Sequence, residues 1–150
     1  MMFLSYEAGG TTMKYAIIGD LHSAIDETKA VLKDIKKLGL EQHIIGLGDL
    51  FECKIGKRKV ALLTEKLPLK EAAVYKKSFE ELLTFPSVIG NQEERIALVT
   101  GDERFLKYPP TIQLEHATII HGHQFDYTEE DFELIPPSFE SKILFFGHSH

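Results

Sequence analysis

Five apolar runs in this chain end in residues that bind metal ions. IIGDLH ends on Asp20 and His22, GLGD on Asp49, VIGN on Asn91, IIHGH on His121 and His123, and FFGHSH on His148 and His150. Each run stops and places a carboxylate, an amide or an imidazole just beyond it. A glycine stands beside each group (Gly19, Gly48, Gly90, Gly122, Gly147), and glycine lets backbone approach closely and adopt unusual φ and ψ. Gathered in one pocket, these ends would bring together two carboxylates, an amide oxygen and four or five imidazoles. Such a set is costly to bury unpaired. A divalent cation is the natural compensation, and the donors suffice for two. One dipeptide of this kind is weak evidence. Asp20 alone could start a helix, and Asp49 and Asn91 alone could be turn residues after glycine. Five at strand ends argue together. His121 and His123 stand at i, i+2, which puts them on one side of a strand, and His148 and His150 share that spacing. We favour His121 as ligand and His123 as a residue that either supports the ligands or faces substrate.

The elements that must position these residues alternate. Lys14–Gly19 and His43–Gly48 read as buried strands. Between them Asp26 reads as an N-cap, Val31, Leu32, Ile35 and Leu38 form one helical stripe, and Gly39 stops the helix. Pro68 opens a helix that carries Ala72, Ala73, Phe79, Leu82 and Leu83 and ends before Pro86. Ser87–Gly90 reads as a third strand, with a helix following through Val99. Thr111–Leu114 and Ala117–Gly122 read as a hairpin. Thr128 with Asp131 suggests a capping box before a helix over Phe132–Ile135, and Lys142–Gly147 is the last strand. Strands alternating with helices indicate an α/β fold, and sites in such folds form at the carboxyl ends of strands. Residues 1–12 read as an N-terminal extension and 13–150 as one domain.

The composition narrows the function classes. With 150 residues, a formal charge of −6 and 43% hydrophobic residues, the chain can bury one core and is not disordered. Its single cysteine excludes a disulfide framework or a four-cysteine zinc site. No apolar run approaches a membrane span, and the start lacks a signal-peptide pattern, so a cytoplasmic place is expected. The acidic balance and the lack of a basic groove speak against nucleic acid as partner. Lys54, Lys57, Arg58 and Lys59 could contact a phosphate, but a solvated loop is the preferred reading. Glu93 and Glu94 read as helix-start acids suited to the dipole.

The ordered set G-D-x-H, G-D, G-N, H-G-H and G-H-S-H resembles the calcineurin-like metallophosphoesterase family, in particular its small bacterial and archaeal phosphodiesterase branch. The similarity spans Lys14 to His150. It implies a four-layer α-β-β-α sandwich with two mixed sheets. It also implies two divalent metal ions, one held by Asp20, His22 and His150 and one by Asn91, His121 and His148, with Asp49 bridging. A mixed nitrogen and oxygen shell suits Mn, Fe, Zn or Co, and we rank manganese first. The implied reaction is in-line attack of a metal-bridging hydroxide on a small phosphate ester, a phosphodiester by preference, with Asp49, Asn91 and His123 as the catalytic group. A nucleotide or phosphoprotein monoesterase and a non-catalytic interaction module on the same fold are the alternatives.

The chain departs from the family pattern in three ways. Where many members carry G-N-H followed by an acid, this chain has Gly90-Asn91-Gln92-Glu93, and glutamine cannot act as a general acid. His150, a proposed ligand, is the last residue of the sequence, so the natural domain is expected to continue past it and the fold to be truncated there. Leu50, Phe51, Glu52 and the basic stretch leave the substrate wall unassigned.

Overall fold

The computed structural model describes residues 1–128 and 133–148. Strand β2 (Thr11–Ile18) sorts its side chains by alternation. Ile17 faces one side and Ala16 and Ile18 the other, and each side meets a separate buried cluster. β2 pairs in parallel with β3 (Ile44–Gly46) and antiparallel with β1 (Met2–Ala8), so the segment read as an extension lies along the sheet as its edge strand. A second mixed sheet has the order β10-β7-β6, built from β6 (Thr111–Gln113), β7 (Ala117–Ile120) and β10 (Ile143–Phe145), with β7 and β10 parallel. The two sheets meet through Leu4, Ile17, Ile45, Val88, Ala117 and Ile119. On the far side of the first sheet, Ala16, Ile18 and Ile44 pack against Ile35, Val31 and Leu32 of helix α1 (Ile25–Lys37). The chain is therefore a mixed α/β protein with two three-stranded mixed sheets. No helix among the described residues is long and apolar enough to cross a membrane.

A third cluster sits under the carboxyl ends of β2 and β3. It joins Leu50, Phe51 and Cys53 to Phe79, to Ile96 and Ala97 of helix α5 (Asn91–Thr100), and to Phe105. Phe51 meets Phe79 and Phe105 edge-on at 5.6 and 5.1 Å. Burying a ring of this size stabilises the fold by roughly 1.5–3 kcal/mol. This one pins the loop that follows Asp49.

Several expectations are corrected. The long helix after Pro68 is two single turns, α3 (Leu69–Ala72) and α4 (Lys77–Glu80). Between them Ala73–Val74 forms β5, which pairs antiparallel with β4 (Glu52–Cys53). Another turn, α2 (Lys57–Val60), follows β4. Ser87–Gly90 forms only an isolated parallel bridge from Ser87 to Gly46. Asp26 lies inside the first turn of α1, and Ala24 occupies the N-cap. Glu133–Ile135 is strand β9, paired antiparallel with β8 (Asp126–Thr128), where a helix was expected; Asp131 and Phe132 of that expectation lie outside the described residues.

Candidate metal centre

Backbone pairing between the two loops continues beyond the strands that feed them. Asp20 N–H donates to Gly48 O, His22 N–H to Asp49 O and Ser23 N–H to Leu50 O, at 3.0, 3.1 and 2.9 Å. The loops after β2 and β3 therefore run side by side. Likewise Gly147 N–H donates to His121 O at 2.8 Å, which aligns the ends of β7 and β10. The turns demand unusual backbone. Asp20, His22, Ser23, Asp49 and His148 all have positive φ, between 44° and 70°, a region few non-glycine residues adopt and one that clusters at functional sites. Gly48 has φ 85°, and an added Cβ there would lie 2.7 Å from Gly90 N. A Cβ on Gly90 would overlap the Asp49 amide and carboxylate. Both positions require glycine for close approach.

Two donor clusters result among the described residues, and Asp49 belongs to both. Asp20, His22 and Asp49 offer ligand atoms within 4.8 Å of one another, and so do Asp49, His121 and His148. His121 is fully buried. Its Nδ1–H donates to Leu47 O at 2.6 Å, which leaves Nε2 to face the site. Around that nitrogen stand Asn91 Oδ1 at 3.1 Å, His148 Nδ1 at 3.1 Å and Asp49 Oδ2 at 3.3 Å. Four acceptor-type atoms aimed at one another repel unless a proton or a cation sits among them. Asp20 Oδ1 is buried with no hydrogen-bond partner among the described residues, a second acceptor that a cation would satisfy. Hard carboxylate and amide oxygens with borderline imidazoles fit a first-row divalent ion.

The electrostatics of the metal-free site follow from these contacts. Burial alone would raise the Asp49 pKa, but hydrogen bonds from His121 and from Gln92 N–H, the latter at 2.9 Å to Oδ1, hold it below the usual carboxylate range. Burial alone would lower His121, but Asp49 raises it. His148 is depressed by burial and by the neighbouring positive charge of His121.

His123 sits at the rim. Its ring centroid is 5.3 Å from that of His121, and its Nε2 is 3.2 Å from Glu94 Oε2. The Gln92 side-chain oxygen accepts from Cys53 N–H at 3.1 Å. His43 and His116, outside the motifs, pack edge-on against Tyr15 and Tyr6. His150 lies outside the described residues.

Two supporting residues escaped the sequence reading. Glu52 Oε2 lies 2.6 Å from His22 Nδ1 and orients that ring; nothing local links residues thirty positions apart. Glu93 is fully buried and accepts three backbone N–H bonds at 2.9 Å, from Asp49 and Gly90 on Oε2 and from Phe51 on Oε1. Its place at the third position of α5 signalled a helix-start role, and Gly90 is that contact. The other two contacts clamp the Asp49 loop. Burial pushes the Glu93 carboxyl up in pKa, and the N–H donors oppose the push.

Comparison with curated proteins and with solved structures finds no match. The family model described as calcineurin-like phosphoesterase superfamily domain matches residues 13–150, the stretch that contains every donor named above. The family is metal-dependent, and the Asp and His clusters have the composition to serve it. The chain belongs to the calcineurin-like phosphoesterase superfamily.

Proposed function

We propose that this protein is a dinuclear metal-dependent phosphoesterase, acting on small phosphodiesters, on a four-layer α-β-β-α sandwich. In this reading Asp49, which belongs to both donor clusters, would contribute to both metal sites. Asp20, His22 and His150 complete the first site, and Asn91, His121 and His148 the second. The observation that carries the reading is the shared Asp49 carboxylate, 3.3 Å from an imidazole whose other nitrogen is committed to Leu47 O. Held there, two divalent ions would supply positive charge to the phosphoryl oxygens and would make a water more acidic; manganese is our first choice of ion.

The chain's own residues do the rest. The Leu47 carbonyl keeps the proton on His121 Nδ1, so Nε2 presents a lone pair. Gln92 N–H fixes one Asp49 oxygen and thereby aims the other. His123, at the rim and steadied by Glu94, contacts the substrate phosphate. Gln92 holds no ionisable proton, and its oxygen is taken by Cys53 N–H. Departure of the leaving group therefore lacks the ~10²–10⁴-fold help a side-chain acid gives.

Chelated protein reloaded with Mn or Zn and desalted should hold two ions per chain and hydrolyse bis(4-nitrophenyl) phosphate faster than 4-nitrophenyl phosphate. Asp49→Ala should lose most of both properties. Across a series of esters, kcat/KM should fall steeply as the leaving-group pKa rises. Protein that retains no ion after any loading refutes the dinuclear reading. A reversed ester preference makes it a monoesterase, and a flat leaving-group dependence refutes the account of Gln92.

A further inference from the structure

Helix α5 begins at Asn91, whose side-chain oxygen faces the donor cluster. Along the same helix, residues one and two turns on lie over Asn91, because positions i, i+4 and i+7 share a face. Those residues are Arg95 and Leu98. A cavity of about 260 Å³ is lined by Asn91, Glu94, Arg95 and Leu98 together with Lys57 and Val60 of α2. A second cavity of about 460 Å³ shares Val60 and Leu98 with it and continues along Leu63 and Val99. Together they form a trough that begins beside Asn91, passes two cations and reaches the apolar side chains of Val60, Leu63 and Leu98, with Thr64, Glu65 and Lys66 also lining the second cavity.

The charges in the first cavity are unequal. Arg95 is half-buried, and no carboxylate among the described residues forms an ion pair with it. Glu94 also lines the cavity, but its Oε2 is turned to His123. Of the four basic residues in the stretch after β4, Lys57 alone lines the cavity. Lys54 donates to Lys70 O on another surface, and Arg58 and Lys59 are exposed. Two cations next to an expected phosphate position, with an arginine free to form a bidentate contact, fit an anion. One helical turn advances about 6 Å along the axis between Asn91 and Arg95. That matches the distance from a reacting phosphorus to a second anionic group about five bonds further along an extended arm of the same substrate, at roughly 1.3 Å per bond.

We propose that Lys57 and Arg95 form a subsite for a second anionic group, a carboxylate or phosphate, on one ester arm of the substrate, with Val60 and Leu98 covering an apolar portion beyond it. The proposal rests on the phosphoesterase reading and narrows it to substrates with at least two anionic centres. Arg95 and Lys57 are binding residues here and take no part in the displacement.

The test uses the metal-loaded full chain and two synthetic diesters. Both release 4-nitrophenol; the second arm is butyl in one and 3-carboxypropyl in the other. The carboxylate arm should raise kcat/KM about fivefold, the size of one exposed ion pair. The ratio of the two kcat/KM values should fall to about one in Arg95→Gln, and added salt should narrow it in the wild type. Lys57→Gln, at an exposed position, should lower the ratio without endangering the fold. Calorimetry with the butyl and 3-carboxypropyl monoesters of methylphosphonic acid gives the same comparison without turnover. A wild-type ratio near one, or a ratio unchanged in both variants, overturns the subsite while hydrolysis of the butyl ester upholds the phosphoesterase. No hydrolysis of either ester overturns the phosphoesterase, and equal binding of the two phosphonates then overturns the subsite as well.

Discussion

Replacing Glu93 by glutamine isolates the clamp that holds the Asp49 loop. The wild-type carboxylate accepts from Asp49, Gly90 and Phe51 N–H, each at 2.9 Å, in a fully buried place. The amide oxygen of glutamine can keep the Asp49 and Gly90 bonds. Its NH₂ then faces Phe51 N–H, donor against donor. The two retained bonds fall from charge-assisted to neutral strength, about 1 kcal/mol each, and the orphaned amide costs about 1–3 kcal/mol. Loss of the Glu93 charge relieves repulsion with Asp49, which contributes to raising the Glu93 pKa. Removing the buried charge also lifts its desolvation, the largest cause of the raised Glu93 pKa, and the two reliefs together return about 1–2 kcal/mol. The net expectation is about 2–3 kcal/mol of lost stability out of a usual 5–15. Urea titration of metal-free protein should show the midpoint about 1–2 M lower with little change in slope. Metal affinity should fall as well, since the Asp49 backbone is no longer held. A midpoint within about 0.2 M of wild type would refute the reasoning, because three buried charge-assisted bonds cannot be exchanged at no cost.

Glu52→Gln should leave folding nearly unchanged and weaken metal binding about 10–100-fold, as loss of an orienting partner does for a ligand imidazole; titration calorimetry with Mn or Zn reads it, and unchanged affinity would mean that His22 needs no support. In the metal-free protein, His121 has a raised pKa through Asp49, so its stabilisation is full below about pH 6.5 and is lost as pH rises through the raised folded value. Asp49 has a depressed pKa, so its share is present above about pH 4 and is lost as pH falls through the depressed value. Metal-free melting temperature should thus decline on the alkaline side, whereas metal affinity should rise with pH there as ions displace the His121 proton; parallel trends with and without metal would sink the assignment.

The residues that the fold gathers into the two donor clusters were legible because their signal is local. Gly48-Asp49 and Gly147-His148 close apolar runs that form β3 and β10, whereas Ser87–Gly90, which closes in the same way, makes only an isolated bridge. Legibility ended where partners are distant. Ala73 leaves a helical pattern to pair with Cys53, and nothing near Ala73 announces the exchange. His22 meets Glu52 thirty residues on. Glu133–Ile135 has apolar residues that serve a helix or a strand equally, and pairing with Asp126–Thr128 decides for the strand. Glu93 was assigned the helix terminus and nothing beyond it, because its contacts to Asp49 and Phe51 exist only after β3 and α5 have met.

The cluster of positive φ values at Asp20, His22, Ser23, Asp49 and His148 bears on how this protein can be engineered. Left-handed backbone costs a residue with a side chain roughly 1–2 kcal/mol, so the five together oppose folding by an amount comparable to the whole net stability of a small domain. Glycine at any of them would relieve the cost and delete a donor or its neighbour. Ligand binding repays the folded state only when the ion is present. A library screened for expression or heat resistance in chelating medium would therefore drift toward glycine at these turns and enrich well-folded, inert proteins. The same library screened in medium supplied with metal would keep them.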